Sequence, residues 1–239
     1  MEITRGKVKA PRKLGLHGKA GTGKTTFASE SPQPIVVMVE DGARDLDVAK
    51  TPVAASATHT LEMLDELGKE EYAEFKTIVV DTVDAYDALA QGEVCKRMNV
   101  ESVGEIAYGA GYSAVESWHV ELRKKLDRLF ASGKMIIVLG HSAVKKVSHP
   151  VKGEYDNLTL SMRPNTAQNW IDWGFDVMYL EPEFSVLTDG NKKRAMASGR
   201  RMLHCVGTPA FEAKNRCGLP ESFAFEIGSG FSTYLNAWK

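Results

Sequence analysis

Cysteine is scarce: Cys95, Cys205 and Cys217 are the three in 239 residues, an odd number, widely spaced and without a C-x-x-C pair. That pattern argues against a disulfide framework or a zinc module and suits a reducing compartment. Charge of one sign is also lacking. The 30 Lys and Arg stand against 31 Asp and Glu, for a formal net charge of −1. No global field draws the chain to nucleic acid, so any such binding must come from a local patch. There is no run of about 18 apolar residues, and the N-terminus carries charges but no apolar signal core. The expected setting is the cytoplasm, without a membrane partner. Asn157-Leu158-Thr159 fits the glycosylation pattern, but it carries no weight without a secretion signal. Repeats, low-complexity linkers, H-E-x-x-H and G-x-S-x-G are missing too. With 43% of residues hydrophobic, the chain can build one substantial core, and residues 1–239 read as a single domain.

What the chain does have is a phosphate-binding loop. Gly18-Lys19-Ala20-Gly21-Thr22-Gly23-Lys24-Thr25 matches G-x-x-x-x-G-K-T at every fixed position. Glycines let successive backbone N–H groups turn inward around a phosphate without Cβ clashes. The following helix turns its positive N-terminal end to the same anion. Lys24 has the reach for the β- and γ-phosphates and the Thr25 hydroxyl suits Mg2+, with Thr26 completing the nucleotide-binding set. The context agrees, since Lys13–His17 reads as a short strand and Thr25–Ser29 as the start of a helix.

Further apolar runs place the remaining strands. Ile35–Val39, Thr77–Asp81, Met135–Leu139 and Asp176–Leu180 are unbroken enough to be buried on both faces of a parallel sheet. Residues 58–73, 83–98, 112–131 and 165–172 read as helices, the third with Leu122, Leu126, Leu129 and Phe130 on one face. Residues 1–13 read as a basic arm or strand, 142–164 as a long loop with room for a hairpin, and 184–239 as short strands and loops. Strands alternating with helices predict an α/β fold of three layers around a mostly parallel sheet. Ligands in such sheets sit at the carboxyl ends of the strands.

Three residues stand at those ends. Asp81 closes a buried run and offers Mg2+ a hard oxygen, although an acid there would also cap the next helix. Glu40 is placed to orient and deprotonate an attacking water, or else is an exposed turn acid before Gly42. His141 can touch a γ-phosphate, or only hydrogen-bond the backbone of a turn. The base is expected to be adenine: GTPases carry [N/T]-K-x-D, and Asn191-Lys192-Lys193-Arg194 lacks the aspartate. Gly109-Ala110-Gly111-Tyr112-Ser113-Ala114 formally fits a dinucleotide fingerprint, but no strand precedes it, so it reads as a loop opening a helix.

The order of these elements resembles a RecA-fold P-loop NTPase, and more closely the small phage-encoded RecA-like ATPases that act as single-strand annealing proteins in recombination. The resemblance covers nearly the whole chain. Val39-Glu40-Asp41-Gly42-Ala43-Arg44-Asp45-Leu46 is similar to the segment with the catalytic glutamate, Val79-Val80-Asp81-Thr82-Val83 to the Mg2+ strand, and Leu139-Gly140-His141-Ser142 to the γ-phosphate sensor, with histidine where an amide is usual. Ala213-Lys214-Asn215-Arg216 looks like the K-x-R segment that reaches into a neighbouring subunit's ATP. Two cations two residues apart on a strand share a face and can act as an arginine finger, the alternative being a solvated basic turn.

The resemblance implies ATP and Mg2+ as cofactors and a homo-oligomer, ring or filament, that binds single-stranded DNA beside a single-strand-binding protein. It implies DNA-binding loops near Met98–Tyr112 and Ser142–Arg163, the second with Lys145, Lys146, His149 and Lys152 for phosphates and Tyr155 for stacking. Taken alone, such a loop also reads as a solvated lid. Only a short segment precedes the first strand, so assembly is not expected to use the N-terminal domain of cellular recombinases. Rival readings are a replication motor or loader, a small-molecule P-loop kinase, and a nucleotide-dependent binding module with negligible turnover.

Overall fold

In the computed structural model, which describes residues 12–151, 153–189 and 192–238, the apolar runs lie side by side at the centre. The strands are β1 (Lys13–Gly18), β2 (Pro34–Met38), β3 (Ala49–Lys50), β4 (Thr77–Asp81), β5 (Met135–His149), β6 (Gly153–Leu160), β7 (Asp176–Asp189), β8 (Lys192–His204) and β9 (Ser222–Phe225). The helices are α1 (Lys24–Ser29), α2 (Ala57–Glu66), α3 (Val83–Met98), α4 (Ala110–Ala131), α5 (Pro164–Trp173) and α6 (Gly230–Asn236). The sheet order is β3-β2-β4-β5-β1-β7-β8-β9, with β6 paired to the far part of β5. From β3 to β7 the pairings are parallel, and β5–β6, β7–β8 and β8–β9 are antiparallel.

Alternation along the strands builds two cores. Ile35, Val37, Ile78, Val80, Ile136 and Val138 face α2, α3, α4 and α5, while Leu14, Leu16, Val36, Val79, Ile137 and Leu139 face α1 and α6. This is the expected three-layer α/β arrangement. Local chemistry starts two of the helices: the Ser56 side chain accepts from the His59 amide at α2, and Thr82 from the Ala85 amide at α3. The capping role open to Asp81 therefore falls to its neighbour.

Several expected boundaries move. The predicted 58–73 helix ends at Glu66, since Leu67-Gly68 breaks it before a short 3-10 turn over Glu70–Tyr72. The expected long loop over 142–164 is mostly a β-hairpin, because β5 runs on to His149 and returns as β6. The tail is more regular than short strands and loops: β7 and β8 form a long antiparallel arm, and α6 packs Phe231 and Tyr234 against Phe27. The stretch before Arg12, with most of the basic arm, lies outside the described residues.

At the start of β7 the fold buries a carboxylate. Asp176 is fully shielded and accepts from the Arg12 guanidinium through two nitrogens, from the Tyr234 hydroxyl at 3.0 Å and from the Arg216 backbone amide at 2.9 Å. It thereby ties the lead into β1, the C-terminal helix and the 214–217 segment together. Removing one side of such a pair leaves an uncompensated buried charge. Asp176→Ala, read by urea unfolding, should cost about 3 kcal/mol or more. A loss under about 1 kcal/mol would mean that the cluster does not hold these segments.

Candidate active site

The phosphate loop sits at the carboxyl end of β1, between β5 and β7. Gly18 lies so close to β7 that a Cβ there would stand 2.3 Å from the Leu180 carbonyl oxygen, so only glycine fits. Gly23, at φ 94, makes the left-handed turn into α1. That helix has six residues, so anion binding rests more on the loop amides and Lys24 than on a long helix dipole. Lys24 is 5% exposed, and its Nζ donates to the Gly18 and Lys19 carbonyls at 3.1 Å each. Burial lowers its pKa, opposed by Asp81, Asp84 and Glu40.

Across the cleft, Thr25 Oγ1 donates to Asp81 Oδ2 at 2.8 Å. Asp81 is 2% exposed, and burial pushes its carboxyl up to about 6, with the Thr25 bond opposing and Glu40 adding to the rise. Glu40 lies one turn beyond β2, which ends at Met38 rather than Val39. Its amide donates to the Asp81 carbonyl at 3.1 Å, and its carboxylate accepts from Thr82 Oγ1 at 3.3 Å. His141 Nδ1 is 2.8 Å from Asp84 Oδ2, Asp84 Oδ1 accepts from the His141 amide at 2.8 Å, and Nε2 stands 4.0 Å from Glu40. The Asp84 bond raises the His141 pKa; at Asp84 burial pushes upward but the bonds from His141 outweigh it, so its pKa is lowered. His141 is thus held by a carboxylate rather than by the backbone of a turn. Lys24, Thr25, Glu40, Asp81 and His141 line one cleft of about 410 Å3 together with Ala20, Gly21 and Thr26.

Sequence reasoning missed two contributors. Asp84 is three residues beyond Asp81 on the first turn of α3, a spacing visible in the chain although its partner is not. Arg201 of β8 donates from Nε to the Thr22 carbonyl at 2.8 Å, pinning the tip of the loop across 179 residues of sequence.

The donor set fits Mg2+. Thr25 and Asp81 offer adjoining hard oxygens, and the Asp81 carboxylate is buried without full compensation. Among the described residues there is no cluster of three or more His, Cys, Asp and Glu able to cage an ion. Two protein oxygens beside nucleotide phosphates are the usual provision for magnesium, which keeps much of its water.

Lys214 and Arg216 do not enter this cleft. Lys214 makes a single bridge with Val177 and its Nζ donates to the Asp172 carbonyl at 3.3 Å; Arg216, exposed, lies in a bend beside Asp176. Asp176 is in register with Leu14, near the start of β1, so the pair lies toward the end of the sheet away from its own phosphate loop. Nor is the expected DNA-binding set gathered on one face. Strand alternation puts Lys145 and His149 on one face of the hairpin with Tyr155, and Lys146 on the other, opposite Asp156. The Lys145 amine is engaged by the Met162 carbonyl. Lys152 lies outside the described residues. His149 and Tyr155 instead line a cleft of about 860 Å3 whose far wall, Val206–Asn215, includes Lys214. Arg163 stacks over the Tyr112 ring at 3.4 Å, joining the two segments expected to bind DNA.

A family model described as an AAA domain matches residues 10–217. Among curated proteins, the SPbeta prophage-derived uncharacterized protein YorG of Bacillus subtilis (strain 168) is 26% identical over 139 residues, 56% of this chain and 42% of that protein. The match therefore spans less than half the length of that relative. Among solved structures, the RadB recombinase superposes with a TM-score of 0.53 at 15% identity, over 92% of this chain and 90% of that one. A KaiC-like protein from Pyrococcus horikoshii OT3 gives 0.46 at 14% identity, over 92% and 87%. The fold is that of the RecA-like P-loop ATPases.

Asp81 takes up a proton as pH falls through about 6. Affinity for magnesium-nucleotide should fall with it, and more Mg2+ should move the midpoint lower because metal and proton compete. Titration of a fluorescent nucleotide between about pH 5 and about pH 8 checks this. An Asp81→Asn variant that kept the wild-type pH profile would contradict the assignment.

Proposed function

We propose, on the premise that this chain belongs to the AAA domain family of P-loop ATPases, that it is an ATP- and Mg2+-dependent oligomeric ATPase that binds single-stranded DNA and promotes annealing or strand pairing in phage recombination. The observation that carries the reading is the junction at His141: the side chain facing Glu40 and the nucleotide cleft stands at the foot of the β5–β6 hairpin. The prophage origin of YorG supports the phage setting, and the likeness to the RadB recombinase supports the process.

The geometry supports the following roles. The loop amides of Gly18–Thr25, with Thr26, hold the triphosphate, and Lys24 turns from the loop carbonyls to its β- and γ-phosphates. Thr25 and Asp81 would hold Mg2+, which supplies charge neutralisation on the phosphate oxygens when bound. Glu40, steadied by Thr82, orients the attacking water and accepts its proton. His141, whose protonated form the Asp84 bond favours, faces the γ-phosphate and responds to its loss. With the γ-phosphate present the hairpin is ordered, and with it the hold of His149 and Tyr155, which share a face with Lys145, on a strand; hydrolysis releases it. Backbone neutralisation by few lysines means modest, salt-sensitive affinity, so stacking on Tyr155 contributes a large share.

Lys214 and Arg216 serve a neighbouring subunit's site. Their distance from their own cleft and the exposure of Arg216 support an action in trans, where they offset transition-state charge. Arg216→Ala should lower turnover about 1000-fold while nucleotide affinity stays close to wild type. Mixing it with Lys24→Ala protein should restore activity, because some mixed boundaries then pair an intact loop with an intact finger. Mixtures no faster than the sum of the two variants would refute the shared site.

A further inference from the structure

His17 is the residue before the phosphate loop, and the roles above leave it unused. Its imidazole is 1% exposed. Nε2 lies 2.7 Å from the Glu212 carbonyl oxygen and Nδ1 lies 2.9 Å from Ser142 Oγ. A carbonyl only accepts, so Nε2 carries the proton and Nδ1 accepts from the Ser142 hydroxyl. Both ring nitrogens are thus spent on segments far away in sequence. Burial pulls the His17 pKa down to about 4, opposed by the Glu212 bond, which keeps this one tautomer through the neutral range. The ring also packs on Tyr179, at 5.3 Å between centroids, and Tyr179 stacks on Phe211 of the Glu212 segment.

The two partners are not equivalent. Ser142 follows His141 and begins the hairpin. Glu212 belongs to the opposite wall of the 860 Å3 cleft and precedes Lys214 by two residues. On the other side of His17, the Gly18 carbonyl accepts from Lys24 Nζ at 3.1 Å. A phosphate on the loop competes for that amine, so its arrival changes the bonding of the Gly18–Lys19 peptide, one residue beyond His17.

We propose that His17 is a positioning residue that transmits occupancy of the phosphate loop along two separate hydrogen bonds, one to the hairpin and one to the 206–216 segment. This rests on the reading of the loop as a nucleotide site and deepens it, since both walls of the 860 Å3 cleft then answer to one side chain. The two arms can be cut independently. Ser142→Ala removes the hairpin arm alone. His17→Phe removes both arms and keeps a ring against Tyr179. His17→Gln keeps an amide N–H for Glu212 and an oxygen for Ser142.

The test is backbone hydrogen exchange read by mass spectrometry, with and without a non-hydrolysable ATP analogue and Mg2+. In wild-type protein, residues 142–160 and 206–216 should each exchange about threefold or more slower with the analogue. His17→Phe should bind the analogue within about threefold of wild type but lose both responses. Ser142→Ala should lose the hairpin response and keep the other, and His17→Gln should recover both in part. A purely structural role predicts instead that Ser142→Ala disturbs both segments or neither, and either result overturns the proposal. So does a wild type in which neither segment responds, or a His17→Phe protein in which both still do. The readout needs no DNA, so failure of the wild type to bind single-stranded DNA is seen separately and bears on the nucleic-acid reading alone.

Discussion

The parallel pairing of β1 between β5 and β7 is the constraint on which the site depends. It places the end of β1 at the centre of the sheet, where Gly18 meets the Leu180 carbonyl with no room for a side chain. The chain must turn sharply there, and the turn is the phosphate loop. The same register sets the end of β4 and the middle of β5 beside it, and with them Asp81 and His141. The turn after β2 adds Glu40, whose amide and that of Val39 both donate to the Asp81 carbonyl. The geometry of the cleft is therefore a consequence of strand order rather than of any single loop.

Within the cleft, charge is arranged in alternation. Lys24 stands near Asp81, Asp84 and Glu40, and His141 bridges Asp84 and Glu40. The carboxylates oppose the burial that lowers the Lys24 pKa, and burial in turn lifts Asp81. A site with a half-compensated carboxylate beside a threonine hydroxyl is primed for a divalent cation, and one with a lysine and glycine amides is primed for phosphate. The histidine at the foot of the hairpin extends this network out of the nucleotide cleft. Its neighbour Ser142 returns to the loop through His17, which closes a circuit of hydrogen bonds around the end of β1.

Much of this was legible in the chain because the signals are local. The loop needs glycine at fixed spacing, and the buried strands need unbroken apolar runs, so Lys24, Thr25, Asp81 and Glu40 could be named from the sequence. What escaped is non-local. Arg201 reaches Thr22 and Arg12 reaches Asp176 across more than 150 residues, with no periodicity to announce either bond. The hairpin was hidden because Ser142–His149 mixes polar and apolar residues on both faces, a pattern that a loop would share. Helix α6 is short, and its apolar residues Phe231 and Tyr234 become meaningful only against Phe27. The expected basic patch illustrates the opposite error: Lys145 and Lys146 are neighbours in sequence and, on a strand, point apart.

The most direct test of the proposed coupling between ATP cleavage at a subunit boundary and a grip on unpaired polynucleotide is the rate of ATP turnover per subunit. It should be measured across protein concentration, with and without single-stranded oligonucleotide. The account predicts a rate that climbs with concentration, as boundaries form, and climbs further with single strands but not with duplex. A rate per subunit that is flat with concentration and indifferent to oligonucleotide would contradict it.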